Sequence, residues 1–300
     1  MPTTAATVSV PLAPSLGGHR VPVVYERRGS GEPLLLLHGI GHHRQAWDPV
    51  LDVLATERDV FAVDLPGFGE SPALPEGVPY DLETVVPVLG ALCEALGLDR
   101  PHVAGNSLGG LLALCMGREK LVRSVTALSP GGFWTEAERR YAFGLLRGMR
   151  LGSRALPAPV VERLSRTTAG RALLVSSIYA RPGRRSPQGA AAETLALAGS
   201  TGFRPTLAAG RHVLFGDDLP GLPVTVAWGT RDLMLLRRQG IRAKHAIPGA
   251  RLIRLPGCGH VPMSDDPALV ARVVLDGSRP VAGAGPVPAE RPEPVERVAD

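Results

Sequence analysis

The 300-residue sequence has little of several residue types that mark specialised classes of protein. Its three cysteines, Cys93, Cys115 and Cys258, are odd in number and form no disulfide framework, which predicts reduced thiols in a reducing compartment. Aromatic residues make up 4% of the chain, and Lys120 and Lys244 are its only lysines. The net charge is +5, but the arginines are spread along the chain and form no basic run with interleaved aromatics. We therefore expect no nucleic-acid partner.

The sequence also lacks a long hydrophobic run, and we expect no secretory leader. Its longest aliphatic runs, such as residues 34–37, are far too short to cross a bilayer. The N-terminus has no basic region, and Pro11 and Pro14 interrupt its weakly apolar start. We expect a soluble, cytoplasmic protein with no membrane span. The sequence does not indicate its oligomeric state.

The residues around Ser107 have the pattern of a strand, a sharp turn and a helix. A short apolar stretch leads into Gly105-Asn106-Ser107-Leu108-Gly109, and an apolar helix-like segment follows at once. The turn predicts a positive φ at Ser107, with glycine on either side because a Cβ at 105 or 109 would collide across the turn. The helix directs its free N–H groups and positive dipole end to the same place, which favours a developing oxyanion. Ser107 is therefore the candidate nucleophile.

Strands and helices alternate along the first 130 residues. A loosely alternating stretch around Gly17-Gly18 predicts an antiparallel hairpin at a sheet edge. Apolar runs predict further strands at 33–37, 60–63, 102–106 and 124–129, and helices at 45–55 and 81–96, the latter with Pro87 near its first turn. This alternation predicts an α/β fold with a mostly parallel central sheet, helices on both faces and reactive groups at the carboxyl ends of the strands.

The pattern changes between residues 131 and 222, where no strand is predicted. Helices are predicted from a capping box at Thr135 to Glu138 and near 159–164, 170–179 and 188–198. We interpret residues 1–130 as the first part of the core, 131–222 as a helical cap insertion, 223–276 as the second part of the core, and 277–300 as a disordered tail. The many arginines of the insertion are more typical of solvated helix faces than of a substrate site.

Two further candidate residues follow predicted strands in the second part of the core. Residues 224–228 predict a strand that leads to Asp232, and residues 251–255 predict the last strand, which leads to His260. A serine hydroxyl is a poor nucleophile at neutral pH unless an imidazole removes its proton and a carboxylate orients that imidazole. Ser107, Asp232 and His260 are thus the candidate nucleophile, acid and base.

Backbone amides and loop side chains complete the candidate site. The glycine-rich turn after residues 33–37 points to the Ile40 amide, paired with the Leu108 amide, as an oxyanion hole. His42, His43 and Asn106 are candidate substrate contacts. Two loop histidines without a third ligand do not predict a metal site. We expect no metal and no organic cofactor.

In chain order these motifs resemble the α/β-hydrolase superfamily, over nearly the whole chain up to about residue 277. The matching pieces are His38-Gly39, residues 64–69, residues 105–109, residues 229–232 and Gly259-His260. The resemblance implies an α/β-hydrolase fold with a cap, and a small-molecule substrate. Haloalkane dehalogenases and epoxide hydrolases of this superfamily carry Asp where this chain has Ser107. We therefore expect a serine hydrolase that cleaves a carboxylic ester of a small to medium, mainly apolar substrate.

Other functions stay open. Carbon–carbon bond hydrolases can share the Gly-Asn-Ser turn, although they usually have a different oxyanion segment and an aromatic residue after the base, where this chain has Val261. Perhydrolases and acyltransferases use the same acyl-enzyme and differ in what attacks it. A non-catalytic ligand-binding protein of this fold would not require the triad.

Overall fold

The most apolar run of the sequence forms a central strand. In the computed structural model, which describes residues 5–279, the side chains of Leu34–Leu37 are at most 1% exposed, as expected for a strand covered on both faces. The strands of this range are β1 (Ala6–Pro11), β2 (Arg20–Gly29), β3 (Pro33–Leu37), β4 (Asp59–Val63), β5 (His102–Asn106), β6 (Ser124–Leu128), β7 (Val224–Gly229) and β8 (Arg251–Leu255). They form one sheet in the order β1-β2-β4-β3-β5-β6-β7-β8.

Pairing in the sheet is mostly parallel. The β1–β2 and β2–β4 pairs are antiparallel, and every other neighbouring pair is parallel. The predicted hairpin at the sheet edge is confirmed, with Gly17 and Gly18 in its turn at positive φ. Parallel pairing requires crossover connections, and helices supply them.

Ten α-helices accompany the sheet within residues 5–279. They are α1 (Asp48–Leu54), α2 (Leu82–Ala95), α3 (Leu108–Arg118), α4 (Glu136–Ala155), α5 (Ala158–Ser165), α6 (Thr168–Val175), α7 (Pro187–Gly199), α8 (Phe203–Ala209), α9 (Arg238–Ala246) and α10 (Pro267–Gly277). Helix α2 packs on α3, and α1 packs on α10. Right-handed crossovers place these two pairs on opposite faces of the sheet.

The strand register brings the predicted reactive residues to one edge. Leu37 of β3 is the register partner of Gly105 in β5, and Asn106 at the end of β5 is the partner of Leu128 at the end of β6. Gly229 at the end of β7 is the partner of Leu255 at the end of β8. The loops after β3, β5, β7 and β8 therefore all begin at the carboxyl edge of the sheet, where α/β proteins bind ligands.

Helices α4 to α8 lie between β6 and β7, and α4 is attached firmly to the core. The predicted capping box is confirmed, because Thr135 N donates to Glu138 Oε2 at 2.8 Å and Glu138 N donates to Thr135 Oγ1 at 3.3 Å. The buried Glu138 carboxylate also binds Arg238 and Arg242 of α9. One capping carboxylate thus joins the start of this helical segment to the second half of the core.

Some sequence-based expectations differ from the structure. Pro87 lies inside α2, beyond its first turn. Because Pro87 has no N–H, the Glu83 carbonyl loses its helical partner, and the exposure of both residues is consistent with solvent replacing that hydrogen bond. Helices α8 and α9 were not predicted. Of the predicted tail, residues 280–300 lie outside the described range. No helix within residues 5–279 is long and apolar enough to cross a membrane.

Candidate active site

Ser107 occupies a strained turn between β5 and α3. Its φ is +57° and its ψ is −114°, so the predicted positive φ is confirmed. A Cβ on Gly105 would lie 2.1 Å from the Gly109 carbonyl oxygen, and a Cβ on Gly109 would lie 2.2 Å from the Leu37 carbonyl oxygen. Both glycines are therefore required for steric reasons, as predicted. The hydrogen bond from Ser107 N to Leu128 O, at 2.9 Å, fixes the turn to the end of β6.

Asp232 and His260 form a buried hydrogen-bonded pair. His260 Nδ1 lies 2.9 Å from Asp232 Oδ2, and the histidine and aspartate side chains are 3% and 0% exposed. The other carboxylate oxygen, Oδ1, accepts hydrogen bonds from the amides of Met234 and Leu235 at 2.9 and 2.8 Å. Three donors thus fix the carboxylate, which in turn fixes the imidazole so that Nε2 points away from Asp232.

The Nε2 atom of His260 is buried and has no hydrogen-bond partner among residues 5–279. Ser107 and His260 line the same cavity, although no hydrogen bond joins them. A base whose orienting hydrogen bond is formed and whose second nitrogen is unoccupied is arranged to accept a proton. Catalytic hydrogen bonds in unliganded sites commonly tighten only when substrate binds.

The turn after β3 lies directly beside Ser107. A Cβ on Gly39 would be 3.2 Å from the Ser107 Cβ, so glycine permits the close approach of the two loops. The next residue, Ile40, lines the cavity, and Leu108 begins α3. Within residues 5–279, neither the Ile40 amide nor the Leu108 amide donates to a backbone carbonyl of a turn or loop. These two donors are compatible with an oxyanion hole.

The cavity above Ser107 has a volume of about 570 Å³ and a largely apolar wall. The loops after β3, β5 and β8 supply its floor, and helices α4, α6 and α7 supply its walls. Its apolar side chains include Leu146, Met149, Leu156, Leu174, Ile178 and Val261. A cavity of this size accommodates a drug-sized or smaller apolar molecule.

The three candidate substrate contacts lie in different environments. Asn106 lines the cavity, but its Nδ2 already donates to His260 O at 2.9 Å and to Leu128 O at 3.1 Å, so it positions the histidine loop. His42 lines the cavity, and neither of its ring nitrogens has a partner within residues 5–279. His43 lies behind it, with the two rings stacked at 5.7 Å, and does not line this cavity.

Burial sets the protonation of the nearby histidines. Desolvation lowers the pKa of His42 well below its ordinary value, and the neighbouring His43 and His38 add to the effect. Desolvation also lowers the pKa of His38 to about 4. His38 Nε2 accepts from Leu65 N at 3.0 Å, so its Nδ1 donates to Gly39 O at 2.7 Å and holds the proposed oxyanion turn. Both rings are neutral at neutral pH.

Sequence reasoning missed the role of Asp265. This fully buried carboxylate accepts from Gly259 N at 2.7 Å, Ala180 N at 3.0 Å and Arg181 N at 2.7 Å. It therefore joins the loop that carries His260 to the chain between α6 and α7. The sequence carries no signal for this contact, because Arg181 is 84 residues away from Asp265.

The described residues favour neither a thiolate nucleophile nor a metal ion at this site. Desolvation raises the pKa of the buried Cys258 thiol to about 12, so it is not a thiolate nucleophile. Residues 5–279 contain no group of three or more His, Cys, Asp or Glu side chains placed to hold a metal ion.

A mostly parallel eight-stranded sheet with an Asp–His pair and a strained serine at its carboxyl edge defines an α/β hydrolase. The chain belongs to the α/β hydrolase fold family of hydrolase-type enzymes, whose family model matches residues 32–267. An uncharacterised protein of Mycobacterium tuberculosis (strain ATCC 25618 / H37Rv) is 30% identical over 264 residues, which are 82% of this chain and 75% of that protein.

Two further similarities are to proteins named for an activity. The chain is similar to a 2-hydroxy-6-oxo-2,4-heptadienoate hydrolase of Pseudomonas putida, with 40% identity over 89 residues, 29% of this chain and 32% of that one. It also shares the fold of the naproxen esterase of Bacillus subtilis, with a TM-score of 0.71 and 20% identity over 92% of each chain.

Proposed function

We propose that this protein is a serine hydrolase that cleaves a carboxylic ester of a small to medium, mainly apolar substrate through an acyl-enzyme on Ser107. The observation that carries the proposal is the shared cavity of about 570 Å³, into which a strained serine and a carboxylate-bound histidine both open. Its apolar wall supports an apolar acyl or alcohol group.

The chemistry follows from the geometry. Ser107 Oγ attacks the ester carbonyl carbon while His260 Nε2 takes the hydroxyl proton, and the Ile40 and Leu108 amides bind the oxyanion. The carbon–oxygen bond to the leaving group then breaks, and His260 gives its proton to the departing alcohol. Water then attacks the acyl carbon while the same imidazole takes its proton. The bond from that carbon to Ser107 Oγ breaks, the imidazole returns the proton to Oγ, and the carboxylic acid leaves. Asp232 stabilises the imidazolium in both steps.

We also propose that residues 131–222 act as a cap over the site, between core parts at 1–130 and 223–276. The lining residues that α4, α6 and α7 contribute support this role. Substrate selection would then depend on the cap, while the chemistry depends on the core. The three buried free cysteines support a reducing, cytoplasmic location.

The test is hydrolysis of a series of p-nitrophenyl esters of increasing acyl length by the native protein and by Ser107→Ala. We expect turnover with a preferred chain length in the native protein and none above background in the variant. Ser129→Ala is the matched control, because Ser129 is also a buried serine at positive φ (+43°) at the end of the adjacent strand, and it does not line the cavity. Equal activity of Ser107→Ala and Ser129→Ala would contradict the proposal.

Carbon–carbon bond hydrolysis is the second candidate, supported by the local 40% identity to the Pseudomonas putida hydrolase. It predicts loss of the visible absorbance of a ring-cleavage dienoate on incubation with the native protein, and weak or absent ester turnover. Acyl transfer on the same triad predicts that an added alcohol acceptor gives a new ester in place of the free acid. Tight ligand binding with no turnover of either substrate class would indicate a binding protein.

A further inference from the structure

Within the described part of the chain, two polar side chains of the cavity wall keep unpaired buried atoms and do not belong to the candidate triad. Two other polar lining groups are occupied within the protein: Thr194 Oγ1 donates to Ala190 O at 2.8 Å, and Ser153 Oγ donates to Arg150 O at 2.9 Å. Glu193 and His42 differ, because each is more than nine-tenths buried and retains polar atoms with no partner among residues 5–279.

Glu193 has one occupied and one unoccupied carboxylate oxygen. Oε1 accepts from Tyr179 Oη at 2.9 Å and from Arg185 Nη2 at 2.6 Å. Oε2 has no partner in the described range. Burial raises the pKa of the Glu193 carboxyl, and the Arg185 guanidinium opposes that shift. Because Arg185 already balances a carboxylate charge here, a cation brought to Oε2 would be a buried, unbalanced charge. The remaining oxygen therefore suits a neutral hydrogen-bond donor.

His42 lines the same cavity as Glu193. A Cβ on Gly41 would be 2.4 Å from Leu197 Cδ1, so the chain entering His42 presses on α7 one turn beyond Glu193. The ring is neutral, since burial lowers its pKa, and it therefore offers one N–H donor and one acceptor nitrogen. A hydroxyl group both donates and accepts, so it can donate to Oε2 and accept from the N–H of this ring.

We propose that Glu193 and His42 form a specificity subsite for a hydroxyl group carried by an otherwise apolar substrate, at a position remote from its scissile ester. The proposal rests on the proposed function of Ser107, and it names the substrate class as hydroxylated esters. Leaving buried polar atoms unpaired is costly, so a ligand with the matching hydroxyl is favoured over one without a donor.

The experiment measures binding in a Ser107→Ala background, so that its readout does not depend on turnover. Methyl esters of ω-hydroxy acids and of the matching ω-methoxy acids, over a series of chain lengths, are titrated calorimetrically. A methoxy group accepts a hydrogen bond but cannot donate one, so only the hydroxy ester can donate to Glu193 Oε2. We expect the hydroxy ester to bind about 10-fold or more tightly at one chain length. No preference at any length, or no binding of either ester, would overturn the proposal.

Glu193→Gln identifies the acceptor. The glutamine oxygen retains the contacts with Tyr179 and Arg185, and its amide nitrogen donates to a methoxy group as readily as to a hydroxyl. The preference should fall by about 10-fold, whereas the matched control Thr194→Val, in the same wall and on the same helix, should keep it. An unchanged preference in Glu193→Gln would refute the assignment. Failure of ester hydrolysis by the native protein would refute the proposed function and leave this binding result standing.

Discussion

Asp265→Asn tests whether the buried carboxylate positions the candidate base. Asparagine has nearly the same shape but one acceptor oxygen fewer. In the native protein the amides of Gly259 and Ala180 donate to Oδ2, and the Arg181 amide donates to Oδ1 at 2.7 Å. In the less costly orientation, the asparagine oxygen takes the place of Oδ2 and its nitrogen faces the Arg181 amide. A charge-assisted hydrogen bond is lost and a buried donor becomes unsatisfied. Together these changes cost about 3 kcal/mol or more of unfolding free energy.

Activity should fall with stability, because Gly259 directly precedes His260. A displacement of the histidine loop by about 1 Å costs up to about 100-fold in rate, so we expect kcat/KM for the best p-nitrophenyl ester to fall about 10- to 100-fold. Urea denaturation at pH 7 measures the stability, and initial rates well below the unfolding midpoint measure the activity.

The neighbouring carboxylate supplies the control. Asp266 caps α10 by accepting from Leu269 N at 3.1 Å, a role that asparagine fills equally well. Asp266→Asn should therefore change neither stability nor rate appreciably. If Asp265→Asn proves as stable and as active as Asp266→Asn, the carboxylate does not hold the histidine loop and the reasoning is refuted.

Three further outcomes are expected. Asp232→Asn should lower kcat by about 10⁴-fold. The asparagine oxygen would keep the amides of Met234 and Leu235, so its nitrogen would face His260 Nδ1 and force the opposite tautomer of the imidazole. An unchanged kcat would remove Asp232 from the triad. Burial lowers the pKa of His38 to about 4, so between pH 6.5 and 4 the folded protein binds fewer protons than the unfolded chain. His38 should therefore lower the unfolding free energy by on the order of 3 kcal/mol as the pH drops through that window, and the fall measured by urea titrations at several pH values should be smaller by about that amount in His38→Asn. Gly109→Ala should lower the unfolding free energy by on the order of 4 kcal/mol or prevent folding. Gly144→Ala, whose Cβ meets nothing within 4 Å, should raise the unfolding free energy by up to about 1 kcal/mol, measured by urea denaturation. The opposite ranking would contradict the steric account of the turn.

The core could be predicted from the sequence because its signals are local. The run at Leu34–Leu37, the glycines flanking Ser107 and the capping box at Thr135 each involve residues a few positions apart, and each has the predicted structure. The positions of Asp232 and His260 followed from the fold, since residues just beyond parallel strands meet at one edge.

The missed features lack such local signals. Helix α8 is seven residues long and contains Pro205, and α9 contains Gly240 with few apolar residues, so neither shows a clear helical period. The contacts of Asp265 depend on how the helical segment packs on the core, and the Tyr179–Glu193–Arg185 cluster depends on how the parts of that segment pack on one another. Single-sequence patterns specify neither arrangement.

The acyl-enzyme is the central claim, and its most direct test is the intact mass of the protein quenched during the first turnovers of a p-nitrophenyl ester. The account predicts a mass increase equal to one acyl group, mapped by peptide digestion to Ser107, present in Ser129→Ala and absent in Ser107→Ala. Ester turnover with no adduct, or an adduct that persists in Ser107→Ala, would contradict the account.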